Sequence, residues 1–376
     1  MNFDRSEIQA MLIDSAERLL AERAGVEYWR EQRRSGDGFD RQRWATFAEL
    51  GWIALPLPES AGGLGGSLED IALLNIELGK TLATEPYVSS AVVAGHILAE
   101  ARDEERVVPL LSAIAEGKLL VALAHDEPKH DPLARNAPAT HALRSDEGYV
   151  LSGVKTMVLD GPSADRLIVT ANLGDGEGTA LFLVDLQWPG IELTPYPLVD
   201  GTRAADILFD RTPIPQDALL ASGNRGAALL GEARDGASVA LMAQAVGSME
   251  ACLVLCGDYV KERKQFGQAI GSFQAIQHML ADMFVAANQA RSILYHAIAA
   301  SRDGAEGREA AVSAARIVIG EAGQLVSRNG VQLHGGYGIT DEYPISHHYR
   351  RLMCIEKIGG DIGRHVRRLG DHIFAS

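Results

Sequence analysis

Two stretches decide how this chain is read: Arg263-Lys264-Gln265-Phe266-Gly267, running on into Phe273-Gln274-Ala275-Ile276-Gln277-His278-Met279-Leu280-Ala281-Asp282-Met283, and Gln332-Leu333-His334-Gly335-Gly336-Tyr337-Gly338-Ile339-Thr340-Asp341-Glu342-Tyr343-Pro344. Each interrupts a helical texture. Residues 237–262, 273–301 and 305–330 carry stripes of Ala, Leu, Val and Met, and each run exceeds five turns at about 3.6 residues per turn. Long Ala-rich helices with short connections predict a four-helix bundle whose broad apolar faces also pack against other chains. Taken singly, residues 263–267 read as a solvated turn between helices, and Gly335-Gly336 as an ordinary loop.

Working outward, the texture changes twice. Residues 118–225 hold short β-rich runs at 119–124, 148–151, 156–159, 166–170, 180–186 and 206–209, punctuated by Gly174-Asp175-Gly176-Glu177-Gly178 and Trp188-Pro189-Gly190. Without long intervening helices they predict a small antiparallel barrel or sandwich instead of a parallel sheet. Residues 1–117 are helical again, with apolar positions at Ile8, Met11, Leu12, Ala16, Leu19 and Leu20. Pro56-Leu57-Pro58 and Gly62-Gly63-Leu64-Gly65-Gly66 break the pattern, and Ser67, three residues before Asp70, marks a helix start. The expected organisation is α+β: an N-terminal helical domain over 1–117, a middle antiparallel β-barrel over 118–225 and a C-terminal helical bundle over 226–376.

The chain has 376 residues, 47% hydrophobic and 23% charged, with a formal net charge of −15. That balance argues against non-specific nucleic-acid binding but leaves room for an anionic ligand in a local basic pocket. No uninterrupted apolar run reaches the roughly 18–20 residues of a membrane span, and residues 1–10 carry charges where a signal peptide needs an apolar core. A soluble, cytoplasmic protein with no membrane contact is expected. The three cysteines, Cys252, Cys256 and Cys354, imply a reducing compartment; Cys252 and Cys256, one helical turn apart, read as small core residues.

The two long stretches, in this order and spacing, resemble the acyl-CoA dehydrogenase family of flavoproteins. Similar words stand at Glu49-Leu50-Gly51-Trp52, Leu57-Pro58-Glu59, Gly62-Gly63 and Glu77-Leu78-Gly79, so the resemblance covers nearly the full length. It implies FAD as cofactor, an acyl-CoA substrate, tetramerisation through the bundle, and an electron-transfer flavoprotein as electron acceptor. It also implies that Arg263, Gln265, Phe266, Phe273, Gln274, Gln332, Gly335 and Gly336 reach an FAD held mainly by a neighbouring subunit. Those residue types suit the task. A guanidinium forks onto phosphate oxygens, Phe266 lies against adenine, Gln332 hydrogen-bonds the diphosphate, and a glycine pair admits a ligand closer than a Cβ would.

Other family positions are altered. Dehydrogenation needs a carboxylate to take the α-proton while hydride leaves the β-carbon for flavin N5. Most members carry that Glu in a Tyr-Glu-Gly-Thr word, which counts here to Ile358-Gly359-Gly360-Asp361; others seat it at the position of Ala237. Asp361 and Asp235 stand two residues from these seats, with Glu232 farther away, and Asp361 also reads as the N-cap of a last helix over 362–374. In the middle region, Asp126-Glu127-Pro128 is followed by Lys129-His130-Asp131-Pro132 without the family's Gly-Ser-Asp loop. The flavin-facing Trp and Thr of a Lys-x-Trp-Ile-Thr word become Met157 and Leu159 within Lys155-Thr156-Met157-Val158-Leu159.

The sequence is therefore most similar to members that work as subunits of heteromeric enzymes, such as the small subunit of pimeloyl-CoA dehydrogenase and the α2β2 enzymes that shorten sterol side chains. The expected role is a partner that completes a homologous subunit's FAD site. The alternatives are a homotetrameric dehydrogenase using Asp361 or Asp235 as base, and a flavin-free acyl-CoA-binding or scaffold protein. His278, His334, His347 and His348 read as helix-surface and interface groups, with no metal expected.

Overall fold

The computed structural model describes residues 5–22, 24–101, 104–128, 133, 138–174, 178–302 and 307–375. Lys129, His130, Asp131 and Pro132, which replace the family's loop, lie outside the described residues. The three textures of the sequence are distributed over two compact units: one formed by Met1–Glu31, Leu68–Ala83 and Ser238–Ser376, the other by Gln32–Ser67 and Thr84–Ala237.

The first unit is helical. It contains α1 (Glu7–Glu22), the start of α2 (Val26–Arg34), α3's successor α4 (Leu68–Lys80) after α3 (Arg41–Glu49) in the other unit, and most of α7 (Gly223–Glu262). The remaining members are α8 (Gln274–Arg302), α9 (Arg308–His334), α10 (Pro344–Lys357) and α11 (Ile362–Ala375). Its core is an apolar cluster running from Val239 to Val260 on α7, through Met283 to Ile298 on α8 and Val312 to Leu333 on α9, to Leu352 and Ile355 on α10. Two glycines let α4 and α7 cross at backbone contact. A Cβ at Gly79 would stand 2.1 Å from the Gln244 carbonyl, and one at Gly247 only 1.9 Å from that of Ile76. Beside the crossing, Gln244 Nε2 donates to Asn75 Oδ1 at 2.9 Å.

On α1 the buried face is Ile13, Ala16 and Leu20, whereas Ile8 and Met11 are exposed; Gln9, not an apolar neighbour, ties the helix to α4 through Asp70 at 2.8 Å. The expected helix over 237–262 lies within α7. By length and composition this helix could cross a membrane, with a window of mean hydropathy 1.8, yet 67% of that window is buried inside the structure. It is the core helix of the bundle.

The second unit centres on one eight-stranded sheet: β1 (Val121–Ala124), β2 (His141–Ser145), β3 (Gly148–Leu159), β4 (Arg166–Asn172), β5 (Thr179–Asp185), β6 (Ile191–Pro197), β7 (Arg203–Pro215) and β8 (Leu219–Ala221). The order is β6-β7-β3-β2-β4-β5-β8, with β1 also on β4. The α+β class holds, but the sheet does not close into a barrel, and β1 and β2 run parallel to β4. The runs at 148–151 and 156–159 are one strand. Between them Gly153 marks a bulge instead of a turn, and a second irregularity falls between Lys155 and Val158. α3, a π-helical stretch (Tyr87–Ala94), α5 (Gly95–Ala99) and α6 (Glu104–Ala115) complete this unit.

Candidate functional site

The first unit brings both sequence stretches to the same end of the bundle. α7 stops at Glu262, and Lys264–Gln265 pairs with Gln268–Ala269 in a hairpin closed by Phe266 and Gly267, both at positive φ (53° and 81°). A phenylalanine in the left-handed region is strained, and this one is 92% exposed, its ring meeting Phe273 edge-on at 6.1 Å. Arg263, Gln265 and Gln274 are exposed around it. Across from the hairpin's root, Tyr259 lies against His334 with ring centroids 4.2 Å apart, and Tyr343 packs on His334 at 4.7 Å. This aromatic stack holds the end of α9, from which Gln332, Gly335 and Gly336 are presented to solvent. A Cβ built on either glycine meets nothing within 4 Å. The eight residues are thus gathered on an open surface.

His334 adds a feature the sequence did not reveal. It is buried, and its Nδ1–H donates to the Gly330 carbonyl at 2.8 Å. Burial lowers its pKa, so the ring is neutral with a bare lone pair on Nε2, which has no partner. His347 and His348 are likewise buried, not surface groups. His347 Nε2 donates to the Asp341 carbonyl at 3.1 Å, and His348 Nδ1 bonds Ser248 Oγ at 2.8 Å. Burial, with Arg351 and His347 nearby, pushes the His348 pKa down to about 3. His278 is exposed. Among the described residues no cluster of three or more His, Cys, Asp or Glu could hold a metal ion.

The two seats counted for a base hold no carboxylate. Gly359 and Gly360 turn at φ 73° and 113°, and the buried Arg316 on α9 donates Nη2 protons to the carbonyls of Ile358 and Gly360. Asp361 caps α11: its Oδ1 accepts the Arg364 amide at 2.9 Å, and that bond holds its pKa below the usual carboxylate range. In the second unit, the side chain at 237 is the methyl of Ala237; Asp235 is buried at 3% exposure, and Glu232 lies 3.5 Å from His96 Nε2.

The β-sheet carries two arrangements that the sequence only half disclosed. At the bulge of β3, Met157 sits at φ 50°, and its N–H is shared between Tyr196 Oη and Asp206 Oδ1, each at 3.1 Å. Tyr196 in turn donates to Asp206 at 2.7 Å; burial and that carboxylate push its phenol up to about 12. Deeper, Lys155 is 0% exposed, with Nζ on Glu127 at 2.6 Å, Thr170 Oγ1 at 2.9 Å and the His125 carbonyl at 3.3 Å. Glu127 also accepts the amides of Ala139 (2.6 Å) and Thr140 (2.9 Å). Burial raises the Glu127 carboxyl, but Lys155 and the Thr140 hydrogen bonds outweigh it and bring the pKa down to about 2. A lysine on the inward side of an alternating strand was the available signal for this pair; nothing local marked Tyr196 or Asp206.

Comparison with known proteins places the chain within one family. Residues 224–374 match the model of the acyl-CoA dehydrogenase C-terminal domain, and residues 6–118 that of the N-terminal domain. The chain is 31% identical over 327 residues to the probable acyl-CoA dehydrogenase YngJ of Bacillus subtilis, covering 85% of this chain and 86% of the relative. Among solved structures it is similar to a variant of the Tcur3481-Tcur3483 steroid ACAD (30% identity, TM-score 0.89, 98% of each chain). It is also similar to the ChsE4-ChsE5 complex from Mycobacterium tuberculosis (25% identity, TM-score 0.91, 100% of each chain).

Proposed function

Because the chain belongs to the acyl-CoA dehydrogenase family, FAD-dependent oxidoreductases that act on the CH–CH bond of acyl-CoA thioesters, we propose that it is the subunit of a heteromeric enzyme that completes a homologous partner's FAD site and has no working base of its own. The observation that carries this is the Met157 amide. With Trp and Thr replaced by Met157 and Leu159, a backbone donor would have to serve a flavin ring at β3, and that N–H is already engaged by Tyr196 and Asp206. The resulting carboxylate would also oppose charge growing on a reduced ring.

FAD, when bound, accepts the hydride that leaves the β-carbon. On the open end of the bundle, Arg263 offers a fork for phosphate oxygens, Phe266 an apolar face for a base, and Gln332 with Gly335-Gly336 hydrogen bonds at close range. The proton-abstracting side is poorly furnished. Asp361 already accepts a backbone amide, and its lowered pKa weakens it as a base. The likeness to a steroid ACAD and to the ChsE4-ChsE5 complex supports a homologous partner chain and a sterol-derived acyl group. Electrons would pass on to an electron-transfer flavoprotein.

The test is flavin counting. The chain produced alone should bind no FAD and turn over no acyl-CoA, whereas the complex with its homologous partner should hold one FAD per pair. One FAD per chain with turnover by the lone protein would reject the reading.

A further inference from the structure

The glycine-bearing segment between α9 and α10 is free to move by composition, yet its far end is tied down. Asp341 receives Arg350 Nη2 at 2.6 Å and Arg30 Nε at 3.4 Å; the same Arg30 sends Nη2 to Glu342 at 3.0 Å and Nη1 to Glu27 at 3.0 Å. The Asp341 carbonyl accepts His347 Nε2, whose ring packs on Trp29 at 5.4 Å, and Trp29 Nε1–H donates to the Thr81 carbonyl at 2.9 Å. Two adjacent residues of α2 thus reach a segment more than three hundred positions away.

Stability does not explain this convergence. Arg30 is 20% exposed, Asp341 43% and Glu342 65%, and ion pairs so wet contribute little to stability. They can still fix geometry. Gly335 and Gly336 impose little conformation of their own; beyond them a single 3-10 turn packs the buried Gly338 on α9 beside the Val331 carbonyl, and the segment is gripped by the Tyr259–His334–Tyr343 stack at one end and the two arginines at the other.

We propose that Arg30 and Arg350, through Asp341, are positioning residues that hold Gln332–Gly336 in the conformation that grips the partner's dinucleotide. This rests on the reading under Proposed function. Arg30 touches no ligand itself. Lysine cannot replace it, because a compact ammonium cannot fork across two carboxylates.

The experiment uses the purified two-chain complex, stripped of flavin and titrated with FAD while flavin absorbance and turnover at saturation are followed. Arg30→Gln and, separately, Asp341→Asn should each raise the FAD dissociation constant roughly tenfold, the effect of losing about 1.4 kcal/mol. The size of the complex and kcat per bound flavin should not change, the double variant should be no worse than either single one, and Arg30→Lys should recover only part. Unchanged FAD affinity in both single variants, or weakening seen only where the complex dissociates, would overturn the latch. A wild-type complex carrying one FAD on every chain would instead reject the reading beneath it, and the ratio of dissociation constants would still judge the latch.

Discussion

The open end of the bundle and the bulge of β3 treat their polar groups in opposite ways. Around Phe266 the chain leaves an aromatic ring in water and glycines with nothing beside them. Around Met157 and Lys155, donors and acceptors are matched within the chain: an amide to a phenol and a carboxylate, an ammonium to three oxygens. A protein has no stability reason to keep the first arrangement, and none to keep a ligand seat where the second has formed. On the proposed reading, the difference separates a surface that serves another molecule from a region that satisfies itself.

The largest expected effect lies in the matched region. Replacing Lys155 by Met should destabilise the protein by about 3–5 kcal/mol, because it strands the Glu127 carboxylate in the core. Urea denaturation of the lone chain measures this, and a loss under 1 kcal/mol would show that the network is not self-sufficient. The same pair predicts an acid limb. The folded Glu127 titrates near 2, below its ordinary 4.5, so its contribution is present above pH 4.5 and is lost as pH falls from there toward 2. The amount is about 3 kcal/mol, and Glu127→Gln should flatten that limb.

How much of this was legible depended on the range over which each signal acts. The bundle was readable because period and length are local properties of residues 237–262 and their successors, and the helix runs even farther back, to Gly223, than its apolar pattern suggested. The sheet was less so. Ser152-Gly153 looks like punctuation but is a bulge inside one strand, a distinction made by β7 pairing alongside and invisible in β3 itself. Asp361 was readable as a cap since capping is a three-residue affair. Arg30 was not: it is one arginine in the basic helix Tyr28-Trp29-Arg30-Glu31-Gln32-Arg33-Arg34, and its partners lie at the far end of the chain. The Tyr196–Asp206 lock depends on register between β6, β7 and β3, which no single strand carries.

On the open side, Phe266→Ala isolates ligand binding from folding. Since the ring is almost wholly exposed, stability should change by less than about 0.5 kcal/mol. Losing a stacking platform for a base costs about 1–3 kcal/mol, so FAD should bind the two-chain complex at least several-fold more weakly. Equal affinity in the variant would erase the contrast between the two regions.

The smallest effect falls on Asp361, where two substitutions part what the sequence could not. Asp361→Ala removes the acceptor for the Arg364 amide and should cost about 1 kcal/mol, while Asp361→Asn keeps a side-chain oxygen there and should cost a few tenths at most. Neither should alter turnover per flavin in the two-chain complex if this carboxylate only caps α11. An Asn variant that melts like the parent yet has lost turnover would make Asp361 the base. It would then overturn the proposal that this chain has no working base of its own.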